Sequence, residues 1–172
     1  MAAAAEELVA RVRGLLGGDV LDAHTHRGDA TVLVPVGRAR ECLQRLRDEP
    51  GFQFNVLVDV TAVDYLGREP RFELVYHLAS FDLAPAAGEP CAVRARLRVK
   101  TGVHSQAAEA DSVTSLWDAA NWYEREVWDL YGIQFRGHPD LRRILLYDEF
   151  QGHPLRKDYP KERRQPLVGP KN

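Results

Sequence analysis

Cysteine is scarce in this 172-residue sequence, and its scarcity removes several kinds of chemistry at once. Cys42 and Cys91 stand far apart with no close partner. A disulfide framework, an iron–sulfur cluster and a cysteine zinc site therefore all lack ligands, and both residues read as ordinary buried thiols. Long apolar runs are missing too. The strongest, residues 32–36 and 56–63, fall well short of the roughly 18 residues needed to cross a bilayer. The N-terminus is rich in alanine, but it carries Glu6 and Glu7 and lacks a basic start followed by an apolar block. A secretory leader is not supported, and the chain is expected to stay in the cytoplasm. Neither a Gly-x-Gly-x-x-Gly run nor a phosphate-cradling Gly-Lys-Ser/Thr loop is present, so dinucleotide and phosphate binding have no motif to rest on.

What is present is an ordinary folding composition. Hydrophobic residues make up 45% of the chain, enough for one domain with a tail. The formal net charge of −2 conceals an uneven distribution: the segment from Gln151 onward carries +4, leaving −6 on residues 1–150. That basic segment also holds Pro154, Pro160, Pro166 and Pro170, which forbid a long helix and favour extended backbone. The expected division is thus an α/β domain over residues 1–150 and an extended basic, proline-rich tail over 151–172 lying on a partner surface. The plainer alternative for the tail is a solvated terminus.

Residues 2–16 have high helix propensity and set Leu8, Val12, Leu15 and Leu16 on one face, with Gly17 and Gly18 as the stop. Extended segments at 20–26 and 31–36 should pair around Gly28 and Asp29. A second helix is expected over 38–47 with Cys42, Leu43 and Leu46 inward, ended by Pro50 and Gly51. Further strands are expected at 52–63, 71–80 and 91–99. In the last of these Arg94, Arg96, Arg98 and Lys100 form one basic face. This order predicts an α+β fold: a two-layer α/β sandwich, with a mixed sheet of about five strands and helices on one face, followed by a C-terminal helix and the tail. The Ala/Pro/Gly-rich stretch 83–90 reads as a surface loop.

Asn121-Trp122-Tyr123-Glu124 has the form of a capping box, so a helix should start there. Tyr123, Val127, Leu130 and Tyr131 make its apolar stripe, and Gly132 is a left-handed stop. Glu124-Arg125-Glu126, Asp129-Leu130-Tyr131, His138, Arg142 and Ile144-Leu145 then fall at the spacing of a known signature. In this segment the sequence resembles the thirty-kilodalton subunit of respiratory complex I, the proton-translocating NADH:quinone oxidoreductase. No position within the signature departs from it. The stretch from Gly152 through His153, Arg156, Lys157, Asp158 and Tyr159 to Pro160 also looks like the family's tail, and Leu116-Trp117 with Trp122 resembles the lead-in to the helix.

The resemblance implies a structural and assembly role in the peripheral arm, supporting electron transfer from NADH to quinone coupled to proton translocation. It implies no catalytic site, cofactor or metal on this chain, with FMN, iron–sulfur clusters and quinone on other subunits. It further implies that the chain packs against the hydrogenase-large-subunit-like member of complex I and neighbouring iron–sulfur subunits, peripherally on the cytoplasmic side of the bacterial inner membrane. Membrane association would come only through the complex, and nucleic acid is not a partner. The expected interface is the signature with its tail: Glu124, Arg125, Glu126, Trp128, Asp129, Leu130, Tyr131, His138, Arg142, Ile144, His153, Arg156, Lys157, Asp158 and Tyr159. Arg125 and Arg142 offer forked donors there, and Trp128 an anchoring surface.

Each of these residues has an internal explanation as well. Glu124 can cap its own helix, and Arg125 with Asp129 can be an i, i+4 pair on a solvent face. The three tryptophans can belong to the core, and His138 and His153 can order turns. Two rival functions remain. The equivalent subunit of a membrane-bound hydrogenase or another quinone-linked dehydrogenase would share the signature. His24-Thr25-His26 has the His-x-His form that opens many metallohydrolase sites, but the further ligands of such a site need a barrel longer than this chain.

Overall fold

The structure, a computed structural model, describes residues 2–83, 90–162 and 165. Helix α1 covers Ala2–Leu16 and leads through a short 3-10 turn into the hairpin β1 (Asp22–His26) and β2 (Asp29–Leu33). The register sets His26 opposite Asp29, leaving Arg27 and Gly28 as a two-residue turn with φ of 53° and 87°. Two successive positive φ angles match the right-handed twist of the flanking strands, which is why glycine sits second.

From β2 the chain crosses over through α2 (Ala39–Asp48) to the far edge strand β3 (Val56–Asp64). It returns through β4 (Phe72–Phe81) to β5 (Val93–Val103), which inserts beside β2. The five-stranded order is β1-β2-β5-β4-β3, antiparallel except for the β2–β5 pair. The mixed sheet read from the sequence is present, although the strand limits differ from the expected ones by a few residues. Two further short strands carry no signal in the sequence. β6 (Glu109–Asp111) and β7 (Gln134–Arg136) pair in parallel, and Arg136 ties them by contacts to Asp111 and Glu109. Three-residue segments have too little periodicity to be seen in a sequence.

The core is continuous. Leu8, Val12 and Leu16 of α1 and Leu43 and Leu46 of α2 pack with Val32, Leu74, Tyr76, Leu78 and Val99 of the sheet. Each such fully buried apolar side chain contributes about 1.5–3 kcal/mol of transfer free energy. The opposite sheet face is polar: Lys100 pairs with Glu73 at 2.8 Å and Arg98 with Asp29 at 3.6 Å. His24 and His26 lie on the exposed side of β1, and no cluster of three potential metal ligands forms among the described residues. One cysteine expectation is corrected. Cys42 is buried, and burial pushes its thiol up to about 11, but Cys91 is exposed just ahead of β5.

Candidate functional site

The signature lies on α3 (Ala120–Tyr131) and the irregular chain that follows it. The capping box is not formed. The helix begins two residues early, with Ala119 rather than Asn121 at its N-cap and without a side-chain cap, because a preceding turn over residues 113–120 already engages the first amides. Glu124 is instead fully buried and accepts the backbone amide of Val113 at 2.7 Å. Burial pushes its carboxyl up to about 7, against the Val113 amide and the Ser112 hydroxyl, which favour the charged form. Gly132 ends the helix as expected, with φ of 72° and its amide donating to Trp128 O.

Arg125 and Asp129 do not pair on a solvent face. Both are buried, and each serves the chain beyond the helix. Arg125 donates through Nε to the carbonyl of Arg142 and through Nη2 to that of Arg143, both at 3.1 Å, while its guanidinium covers the Trp122 ring at 5.2 Å. Asp129 Oδ1 receives Arg143 Nη1 at 2.5 Å. Its Oδ2 accepts three successive amides, those of Ile144, Leu145 and Leu146, at 3.1, 2.9 and 2.9 Å. Burial would raise this carboxyl, but the Leu146 amide, the Arg143 guanidinium and the other two amides outweigh it and hold it below the usual range. Arg143 further reaches the carbonyl of Phe150 at 2.8 Å and lies over the rings of Trp128 and Phe150. A segment with no regular structure is thereby held in place by one arginine and one aspartate of the helix.

The stretch 152–159 is likewise bound to its own body. His153 donates through Nδ1 to Asp129 O at 2.9 Å, and the Leu155 amide to Leu130 O at 3.1 Å. Arg156 donates to the carbonyls of Tyr131 and Gly132. The Lys157 amide meets Asp64 Oδ2 at 2.8 Å, and Asp158 pairs with Arg71 at 2.8 Å; Arg71 itself makes two bonds to Asp64, at 2.9 and 2.8 Å. Tyr159 stacks on Phe150. This stretch is a chain of turns fastened to α3, β3 and β4. Residues 163–164 and 166–172 of the expected strap, and 84–89 of the expected loop, lie outside the described residues.

His138 is half-buried, accepts the Asp140 amide on Nδ1 at 3.0 Å and faces Asn121 O with Nε2 at 3.2 Å, which makes it a turn-ordering residue. Arg142 is exposed and pairs with neighbouring Asp140 at 2.9 Å. Of the tryptophans, Trp117 is core, Trp128 is half-buried under Arg143, and Trp122 is 59% exposed. The exposed residues of the site therefore include Trp122, Glu126, Arg142, Leu145, Leu155, Lys157 and Asp158. Sequence reasoning missed Asp64, Arg71 and Arg143. Their one visible signal is a charged residue against an apolar strand end or beside an aliphatic exit, and that pattern does not say where the partner sits.

The family model described as respiratory-chain NADH dehydrogenase, 30 Kd subunit, matches residues 32–165, which includes every signature residue above. The chain belongs to that family. It is 42% identical over 163 residues to an NADH-quinone oxidoreductase chain of Citrifermentans bemidjiense, covering 94% of this chain and 94% of that protein. It is 43% identical over 164 residues to the chain of the same name from Geobacter sulfurreducens, again covering 94% of each. Among solved structures it resembles the trypsin-resistant fragment (1–134) of Nqo5, with TM-score 0.63 and 32% identity over 79% of this chain and 98% of the other. It also resembles a chain of the membrane-bound sulfane sulfur reductase, an archaeal respiratory membrane complex, with TM-score 0.71 at 25% identity over 91% of this chain and 86% of the other. The higher identity to the NADH-quinone oxidoreductase chains does not favour the alternative of a hydrogenase-type complex. No helix among the described residues is long and apolar enough to cross a membrane.

Proposed function

We propose that this chain fills the place of the thirty-kilodalton subunit in the peripheral arm of an NADH:quinone oxidoreductase, giving shape and docking surface to neighbours that carry FMN, the iron–sulfur clusters and the quinone. The observation that carries the reading is the match to NADH-quinone oxidoreductase relatives over nearly the whole chain. The geometry agrees, because two of the signature's buried charges, Arg125 and Asp129, are engaged within the chain. Asp129 has both oxygens occupied, and Arg125 spends its donors on two carbonyls, so both are committed to holding the loop.

The surface that meets the hydrogenase-large-subunit-like neighbour is the exposed side of the same construction: Trp122, stiffened by Arg125, together with the exposed Glu126, Arg142, Leu145 and Leu155. An exposed tryptophan backed by a guanidinium is the composition of an interface hot spot. The complex then sits at the cytoplasmic side of the inner membrane, and the chain reaches the membrane only through it. Affinity purification through a tag on this chain should bring down NADH-oxidising and hydrogenase-large-subunit-like proteins, and Trp122→Ala should weaken that recovery by tenfold or more without lowering the melting temperature of the isolated chain. The isolated chain should contain no flavin or iron and oxidise no NADH. Quinone reduction by the chain alone would defeat the reading.

A further inference from the structure

On the side of the molecule away from the signature, β5 begins before its neighbour does. Pairing with β2 starts at Leu97, whereas pairing with β4 starts at Val93, so the β2 side of residues 93–96 has no strand against it among the described residues. That free edge forms one wall of a groove of about 730 Å³. The β1–β2 turn, Arg27 and Gly28, forms its end, and the first turns of α1 form its other wall, where Ala4 and Ala5 leave room. Arg11, Arg27, Arg94 and Arg96 line the groove against only two carboxylates, Glu7 and Asp29. Asp29 is already directed to Arg98, Arg94 to Asp82, and Arg11 to Gly51 O, while the guanidiniums of Arg27 and Arg96 have no ion-pair or hydrogen-bond partner among the described residues.

Unpaired strand edges accept further strands, because their backbone amides and carbonyls are already aligned. Guanidiniums on either side select carboxylates on the incoming segment. We propose that this groove takes an extended acidic segment of a neighbouring protein of the complex, which adds to residues 93–96 as a short strand and places its carboxylates on Arg27 and Arg96. The inference rests on the reading of the chain as part of a larger assembly. The chain's own C-terminal segment fits poorly as the occupant because it is basic.

Two measurements on the purified complex test it. A photo-reactive benzoylphenylalanine replacing Val93 should crosslink to an acid-rich stretch of another protein in the complex, and Arg27→Glu with Arg96→Glu should cut that crosslink at least tenfold while Arg27→Lys with Arg96→Lys retains it. In the unmodified chain, amide exchange over 93–96 should be at least tenfold slower in the complex than in the isolated chain. A crosslink to residues 84–89 of the same chain, to a second copy, to lipid or to a neutral segment would overturn the proposal. So would unchanged exchange in an intact complex. Absence of the chain from the complex would overturn this proposal and the assembly reading together, whereas an intact complex without the crosslink removes the groove alone.

Discussion

Arg143 closes on Asp129 at 2.5 Å, and the aspartate has no exposure to solvent. A buried ion pair of this kind adds little by attraction alone, since desolvation cancels most of the Coulomb gain, but losing one member strands the other. Here the stranding is unequal. Asp129 keeps three amides if Arg143 is removed, whereas three amides lose their acceptor and Arg143, left with backbone carbonyls, loses its counter-charge if Asp129 is removed.

Asp129→Ala should therefore destabilise the chain by about 3–5 kcal/mol, and Arg143→Met by about 1–3 kcal/mol. Urea unfolding of the two variants checks the order. Equal losses would mean that the ion pair, not the amide cluster, organises the loop.

Glu124 brings pH dependence of the opposite sense to an ordinary carboxylate. Burial raises its folded pKa to about 7 from the usual 4.5, so the folded state binds the proton more tightly. Its contribution is complete below the unfolded value and is lost as pH rises through about 7, on the order of 3 kcal/mol across the interval. Glu124→Gln keeps an acceptor for the Val113 amide and removes the titration. Its melting temperature should exceed that of the parent at pH 8 and vary less between pH 5 and pH 8.

Arg71 joins the buried Asp64 to Asp158 and so fastens the stretch 156–159 to the sheet. Arg71→Met should release that stretch while leaving the core folded. Trypsin cleavage after Arg156 should then accelerate about tenfold for each ~1.4 kcal/mol of lost docking, with sites on the body unaffected.

Gly132 has a positive φ, and a Cβ there would meet His153 Cδ2 at 2.5 Å and Arg156 Nη2 at 2.6 Å. Gly132→Ala should cost about 1–3 kcal/mol from the backbone alone and should also push His153 and Arg156 off the helix end. Faster amide exchange at Leu155, whose amide donates to Leu130 O, is the specific readout.

Much of the fold was legible from periodicity. The apolar stripes of α1 and α2 and the alternation along β5 are local patterns, and local patterns decide helix, strand and inward face. The left-handed stop at Gly132 and the turn at Gly28 followed from the one residue that takes positive φ without a Cβ penalty. Asn121 and Glu124 show where this reasoning stops. Their spacing satisfies a capping box, but an earlier turn had already engaged the helix start, and Glu124 found its amide at Val113, eleven positions back.

By itself, then, the sequence determined the mixed α+β body, the inward faces of its helices and, through an ordered signature, the family. It could not determine that Arg125, Asp129 and Arg143 face inward, that residues 152–159 fasten to Asp64 and Arg71, or that Trp122 alone of the tryptophans stands in solvent. Propensity and periodicity act over a few residues. A charge is buried or exposed according to whether the folded chain brings amides and counter-charges to it from far away in sequence, and only the tertiary structure decides that.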